Sequence, residues 1–138
     1  ERSVTIAAPV DRVWNIVADH RGMTKWFALD TVTLEREGHP APNGVGAVRV
    51  MRGPKTNLRE QVLGWEPGRS LDYRLLEGAP ISCHQGRVEL KPVAGGTELT
   101  WSIRYRAKIP GTSGMVVRAM DKLLGDALPR LKKLAESG

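Results

Sequence analysis

Cysteine is almost absent from this chain, because Cys83 is the only one among 138 residues. An intrachain disulfide needs two cysteines, and a metal site needs three or four suitably spaced ligands. His20 and His39 stand in predicted loops near single acidic residues and do not provide such a spacing. We therefore expect no disulfide and no metal site, and we expect a cytoplasmic location.

Long apolar runs and nucleotide-binding motifs are also missing. No stretch approaches the ~20 apolar residues of a membrane-spanning helix, which predicts a soluble protein without stable membrane insertion. No phosphate-binding loop, dinucleotide fingerprint or nucleophilic serine elbow is present, and we expect no cofactor. The sequence starts at Glu1 and not at Met, which leaves open whether an N-terminal segment has been removed.

Aromatic residues are few, at 5% of the chain, although basic residues give a net charge of +6. A basic protein can bind nucleic acid or an anionic membrane. Here the lysines and arginines are spread along the chain, and the cluster at 130–133 falls where cations complement the dipole of a predicted helix. Nucleic-acid surfaces also interleave aromatic side chains with basic ones. We expect no nucleic-acid partner.

Length and hydrophobic content determine how large a core the chain can form. With 41% hydrophobic residues, the composition is that of an ordinary globular protein. A domain of this size buries about 68% of the surface of its unfolded chain, which is enough for one core. No repeat or linker divides the sequence, so we expect a single domain over residues 1–138.

Hydrophobic periodicity predicts a strand and two short helices in the first part of the chain. Residues 3–7 alternate polar and apolar side chains, as a half-buried strand does. Pro9 can open a helix at its first position, and the apolar residues of 9–18 recur at helical spacing. One further helical turn fits residues 23–27.

The rest of the sequence predicts six strands and one long helix. Alternating segments are separated by short turns rich in glycine and proline. They cover residues 31–36, 45–51, 57–65, 71–75, 81–91 and 99–105. Parallel neighbours would need crossover segments that these turns cannot supply, so the pairing should be antiparallel. Apolar residues recur at helical spacing over 112–136, where Pro129 predicts a kink.

Three phrases of the sequence resemble one protein family. They are Ile6-Ala7-Ala8-Pro9 followed by Val13-Trp14, then Arg59-Glu60-Gln61-Val62 running into Trp65-Glu66-Pro67-Gly68-Arg69-Ser70-Leu71, and Gly95-Gly96-Thr97-Glu98-Leu99-Thr100-Trp101. Together with the order of elements, they are similar to the polyketide cyclase/dehydrase branch of the START-like (SRPBCC) superfamily. The resemblance implies an α+β helix-grip fold. In that fold a curved antiparallel sheet of about seven strands wraps round the long C-terminal helix, with two short helices after strand 1.

The same resemblance implies a container for a small molecule, and three functions fit it. The first is the binding of a hydrophobic small molecule (a lipid, isoprenoid or polyketide-like aromatic) in a cavity between the sheet and the C-terminal helix. The alternative is a polyketide cyclase or dehydratase. The third and least favoured is a protein-interaction module like the co-chaperones of related fold. The sequence determines neither the ligand nor the oligomeric state, nor whether a reaction occurs.

His84 is the first candidate for acid/base chemistry in such a cavity. Strand periodicity places it on the same face as Val88 and Leu90, which should be buried, and turns Cys83 outward. An ordinary histidine pKa of about 6.5 suits a general base. A plain hydrogen bond to a neighbour is the more common role of such a histidine.

Glu60 is the candidate catalytic partner of His84. It faces the interior if Val62 does, whereas the other register would bury Trp65 and its alternate neighbours. A buried carboxylate is more often held by an arginine for structural reasons, and Arg49 and Arg74 are the candidates. Both registers remain open from sequence.

Aromatic, sulfur-containing and aliphatic side chains are the predicted ligand contacts. Tyrosine hydroxyls can orient a ligand in an apolar pocket, and methionine adapts to irregular shapes. Ordinary core packing is the alternative and is favoured for one of them, Trp101. The predicted contacts are Tyr73, Trp101, Tyr105, Met115, Met120, Leu123 and Trp26.

Overall fold

The computed structural model describes residues 2–54, 56–78, 81–107, 111 and 113–137, with the backbone alone at 56, 81–83, 106, 107, 113, 116 and 117. The strands are β1 (Arg2–Ile6), β2 (Thr31–Arg36), β3 (Val48–Gly53), β4 (Thr56–Glu66), β5 (Ser70–Glu77), β6 (Ile81–Val93) and β7 (Gly96–Ala107). The helices are α1 (Val10–Val17), a 3-10 helix (Arg21–Lys25) and α2 (Ser113–Glu136). In the described part of the chain, no helix has the length and apolar character needed to cross a membrane.

The seven strands form one antiparallel sheet in the order β1-β7-β6-β5-β4-β3-β2. Strands β2 to β6 each pair with the next strand in the chain, and β1 pairs with β7. Glycines in the left-handed region close two of the turns, namely Gly68 (φ 78°) between β4 and β5 and Gly95 (φ 82°) between β6 and β7. The predicted antiparallel helix-grip arrangement is confirmed.

The start of β3 differs from the prediction. The alternating pattern suggested a strand from residue 45, but β3 begins at Val48. The reason is a compact loop, in which the backbones of His39 and Val45 donate to each other at 2.8 and 2.9 Å. Pro129 lies inside α2, which continues to residue 136, and a kink there stays a prediction.

Helix α2 is buried along its second half and exposed along its first turns. The buried side chains are Leu124, Ala127, Leu128, Leu131 and Ala135. In contrast, Met115 in the first turns is 67% exposed. A hydrogen bond from the Ala7 N–H to Glu136 Oε2, at 2.7 Å, connects the end of the helix to the segment after β1. The second half therefore closes the core, whereas the first half stands over a space beside the sheet.

Candidate functional site

A cavity of about 280 Å³ lies between the curved sheet and α2. The sheet lines it with Met51, Leu58, Leu75, Trp101 and Ile103, and the helices line it with Met23, Ala119, Met120, Leu123 and Leu124. Its polar lining residues are Arg49, Glu60, Tyr73 and His84. Among the residues that the structure describes, no group of three or more His, Cys, Asp and Glu side chains could hold a metal ion. Mostly apolar walls with a few polar groups are typical of a small-molecule site.

Strand periodicity turns Glu60 towards this cavity. On β4, Glu60 is 6% exposed and Val62 is 1% exposed, whereas the next residue, Leu63, is 43% exposed and faces the other side of the sheet. On the neighbouring strand β3, Arg49 is the Cα partner of Glu60, so both side chains lie on the same face of the sheet. Of the two registers open from sequence, the structure has the one that places Glu60 inside.

Arg49 and Glu60 form a buried ion pair. Arg49 donates from Nε at 3.0 Å and from Nη2 at 2.7 Å, both to Oε1 of Glu60. Burying two charges is costly unless further hydrogen bonds satisfy them, which explains why an arginine with several donors stands here. Arg74, the other candidate partner, donates instead to Gln61 on the outer face.

His20 extends the ion pair towards the loop before β3. Arg49 Nη1 donates to His20 Nδ1 at 3.1 Å, so the ring proton is on Nε2, which donates to the Asn43 carbonyl at 2.9 Å. Burial, assisted by the Arg49 charge, lowers the pKa of His20 from 6.5 to about 3. The ring is therefore neutral at ordinary pH. The sequence placed His20 in a loop and contained no signal for this role.

Tyr73 and Trp101 form an aromatic wall of the cavity. Trp101 Nε1 donates to the Tyr73 hydroxyl at 2.8 Å, and the Arg49 guanidinium carbon lies 4.8 Å from the centre of the Tyr73 ring. Burial raises the pKa of Tyr73 far above its ordinary value, so its hydroxyl stays protonated. Gly86 is the Cα partner of Tyr73 on β6, and a Cβ there would lie 2.1 Å from the tyrosine ring. The glycine leaves room for the ring.

His84 borders the same cavity, but its imidazole is bonded to the backbone. Its Nδ1 accepts a hydrogen bond from the Leu75 N–H at 3.0 Å, which places the proton of the neutral ring on Nε2. Burial lowers the pKa of His84, and the smaller opposing effect of the Glu60 charge does not reverse this. In this state the ring can donate from Nε2, but its one lone pair is already occupied.

The structure brings some of the predicted ligand contacts to the cavity and leaves others elsewhere. Tyr73, Trp101, Met120 and Leu123 line it. Trp26 lies in the core, 1% exposed, with its ring centre 4.5 Å from that of Phe27 and 5.9 Å from that of Trp101. Tyr105 and Met115 are not among the lining residues, and Met115 is 67% exposed. Ligand contact at all seven positions stays a prediction.

The sequence names Arg49 only as a possible structural partner of Glu60, and it does not identify Met23 or Met51 as cavity residues. Period-two alternation along β3 places Met51 on the same face as Arg49, a signal that could have identified Met51. Met23 lies on the 3-10 helix, where no such periodicity is available. The side chain of Cys83 lies outside the described residues, so its outward orientation stays a prediction.

A curved antiparallel sheet that wraps round a long C-terminal helix is the START/Bet v 1 helix-grip fold. The family model described as "Polyketide cyclase / dehydrase and lipid transport" matches residues 1–136. The chain belongs to this family. Comparison with curated protein sequences gives no significant match.

Solved structures share the fold at low sequence identity. A START superfamily protein from Mycobacterium smegmatis is 15% identical, with a TM-score of 0.82 over 99% of this chain and 95% of that one. A protein from Thermobifida fusca is 24% identical, with a TM-score of 0.81 over 97% and 90%. Ara h 8.0201 is 14% identical, with a TM-score of 0.77 over 99% and 96%. These similarities establish the fold alone.

Proposed function

We propose that this protein binds a hydrophobic small molecule in the cavity between its sheet and α2, as a carrier or sensor without catalytic activity. The observation that carries the proposal is the cavity itself, whose walls are mostly apolar and extend from Met51 to Leu123. Its volume of about 280 Å³ lies near the lower end of the range for small-molecule sites, roughly 300–1,000 Å³. A compact isoprenoid or polyketide-like aromatic fits this size better than a two-chain lipid.

A polyketide cyclase or dehydratase is the alternative, with His84 and Glu60 as acid and base. One observation favours it, since both residues border the cavity. Two others weigh against it. The lone pair of His84 is occupied by the Leu75 N–H, and Arg49 neutralises Glu60. A general base needs a free lone pair, which His84 lacks, so binding is the better supported function. The interaction module is weaker still, because a filled interior would have favoured it.

Native mass spectrometry of the purified protein tests the binding proposal. We expect a species heavier than the chain by one small molecule, which extraction then identifies as apolar. If the protein is empty, titration with the neutral fluorescent probe N-phenyl-1-naphthylamine should show one saturable site. A protein that carries nothing and binds no apolar probe would contradict the proposal.

The extracted molecule also separates binding from catalysis. Incubated with the wild-type protein, it should be recovered unchanged. Conversion that falls by orders of magnitude in His84→Phe, with binding retained, would establish the enzyme instead. The cytoplasmic location and the lack of a nucleic-acid partner stay predictions from the sequence.

A further inference from the structure

Among the described residues that line the cavity, the charges are balanced and no cation is left free. Arg49 directs two donors to Glu60 Oε1, and its Nη1 faces His20 Nδ1 at 3.1 Å and Met23 Sδ at 3.4 Å. The other basic residue in the lining is His84, which is neutral for the reasons given above. A ligand carboxylate would therefore meet the carboxylate of Glu60 without a positive partner in the described lining. Such a burial of unpaired charge is strongly unfavourable.

One oxygen of Glu60 is left for a ligand. Both bonds from Arg49 end on Oε1, and within the described part of the chain Oε2 accepts none. Glu60 lines the cavity, so Oε2 is the carboxylate oxygen that remains for a polar group of the ligand. A carboxylate oxygen in apolar surroundings is stabilised when a hydrogen-bond donor reaches it.

His84 on β6 provides a hydrogen-bond donor near Glu60. His84 has its proton on Nε2, because Nδ1 accepts from Leu75. Leu75 is also the Cα partner of Glu60 across β4 and β5, so Glu60 and His84 flank the same residue. The cavity thus presents one acceptor and one donor at the same level of the sheet. A hydroxyl group, which both donates and accepts, complements this pair.

We propose that the cavity selects a neutral, largely apolar molecule that carries a hydroxyl group, with Glu60 Oε2 accepting from it and His84 Nε2 donating to it. This inference rests on the proposed binding function and specifies the chemistry of the ligand. It favours a phenol or an alcohol over the hydrocarbon of the same shape, and it disfavours a carboxylic acid, which is ionised at neutral pH. Glu60 and His84 are specificity-determining residues in this account and carry out no reaction.

Three ligands with the same ring system test the proposal, namely 2-naphthol, 2-methylnaphthalene and 2-naphthoate. Each competes with N-phenyl-1-naphthylamine for the wild-type protein at pH 7.5. We expect 2-naphthol to bind at least about tenfold more tightly than 2-methylnaphthalene, which is the lower end of the range for a hydrogen bond to a charged group. The carboxylate should bind most weakly of the three.

The variant Glu60→Gln tests the origin of the preference. It keeps the shape of the side chain, removes its charge and leaves Arg49 without a counter-ion. The preference for the hydroxyl over the methyl should fall to about threefold or less, and 2-naphthoate should gain affinity because Arg49 is now unbalanced. The matched control Glu35→Gln changes an exposed carboxylate paired with Arg59 and should keep the wild-type order.

The outcomes separate this inference from the proposed function. Equal binding of the naphthol and the methylnaphthalene, or tightest binding of the naphthoate, would overturn hydroxyl selection while leaving apolar binding intact. Failure of the probe to bind to a protein that also carries no small molecule would overturn both. The ranking by the wild-type protein decides the matter even if Glu60→Gln does not fold, and His84→Phe, which keeps a ring but no donor, then replaces it as the variant.

Discussion

Arg49 determines the polar interior of this protein at the scale of single residues. It is 2% exposed and directs its donors to Glu60, His20 and Met23, while its guanidinium lies over the Tyr73 ring. A buried cation is tolerated only with such complete pairing. The sequence suggested Arg49 as a structural partner of Glu60, but it could not reveal His20, because the contact joins a loop to a strand.

Loss of Glu60 should show how much the ion pair matters. In Glu60→Ala, Arg49 stays buried without its counter-ion, and we expect the free energy of unfolding to fall by about 3–5 kcal/mol. Replacing both residues, by Arg49→Met with Glu60→Leu, should recover most of this loss because no charge remains buried. Urea unfolding measures all three proteins. Glu35→Ala, which breaks an exposed pair, is the control and should change little. Equal losses in the single and double variants would contradict the account.

His20 should make stability depend on pH. Its pKa is about 3 in the folded protein and 6.5 in the unfolded chain, so the unfolded state takes up the proton first. The stabilisation is complete above pH 6.5 and is lost as the pH falls towards 3, by about 1.4 kcal/mol per pH unit. His20→Gln keeps an acceptor for Arg49 and a donor for the Asn43 carbonyl but does not titrate. From pH 7 to pH 4, wild type should therefore lose more unfolding free energy than the variant does. Parallel plots of unfolding free energy against pH for the two proteins would contradict this.

At the scale of elements, the sequence predicts strands better than the loops between them. Glycine turns and period-two alternation identify β4 to β7, because local backbone chemistry determines both. The start of β3 was misplaced because the paired backbone of His39 and Val45 depends on contacts outside the local pattern. Strand register determines which residues face each other, as Tyr73 and Gly86 do across β5 and β6. The sequence pattern did not determine which face of β4 points inward.

The close approach of β5 and β6 at Gly86 gives a prediction at this scale. Gly86→Ala places a Cβ 2.1 Å from the Tyr73 ring, so the ring must move and lose the hydrogen bond from Trp101. We expect a loss of about 1–3 kcal/mol in unfolding free energy and a changed tryptophan fluorescence spectrum. Gly114→Ala on α2, where no atom lies within 4 Å, is the control and should be neutral or stabilising. An unchanged spectrum in Gly86→Ala would show that the ring does not move.

At the scale of the whole molecule, the proposed function depends on a cavity that sequence periodicity cannot describe. The family resemblance predicted a sheet wrapped round a helix, and the family match and the fold confirm it. The cavity exists because α2 packs tightly from Leu124 onwards and leaves its earlier turns apart from the sheet. Its size depends on how side chains from β3 to β7 and α2 meet, which is a property of the assembled molecule.

The most direct test of the central claim is to fill the cavity and measure apolar binding. Met120 lines the cavity from α2, so Met120→Trp should occupy the space and abolish binding of N-phenyl-1-naphthylamine without loss of the fold. Leu63→Trp adds the same side chain at a position that is 43% exposed on β4 and should bind the probe as wild type does. Fluorescence titration of the three proteins decides. One site in the wild type that is lost only in Met120→Trp supports the account, whereas undiminished binding in that variant would contradict it.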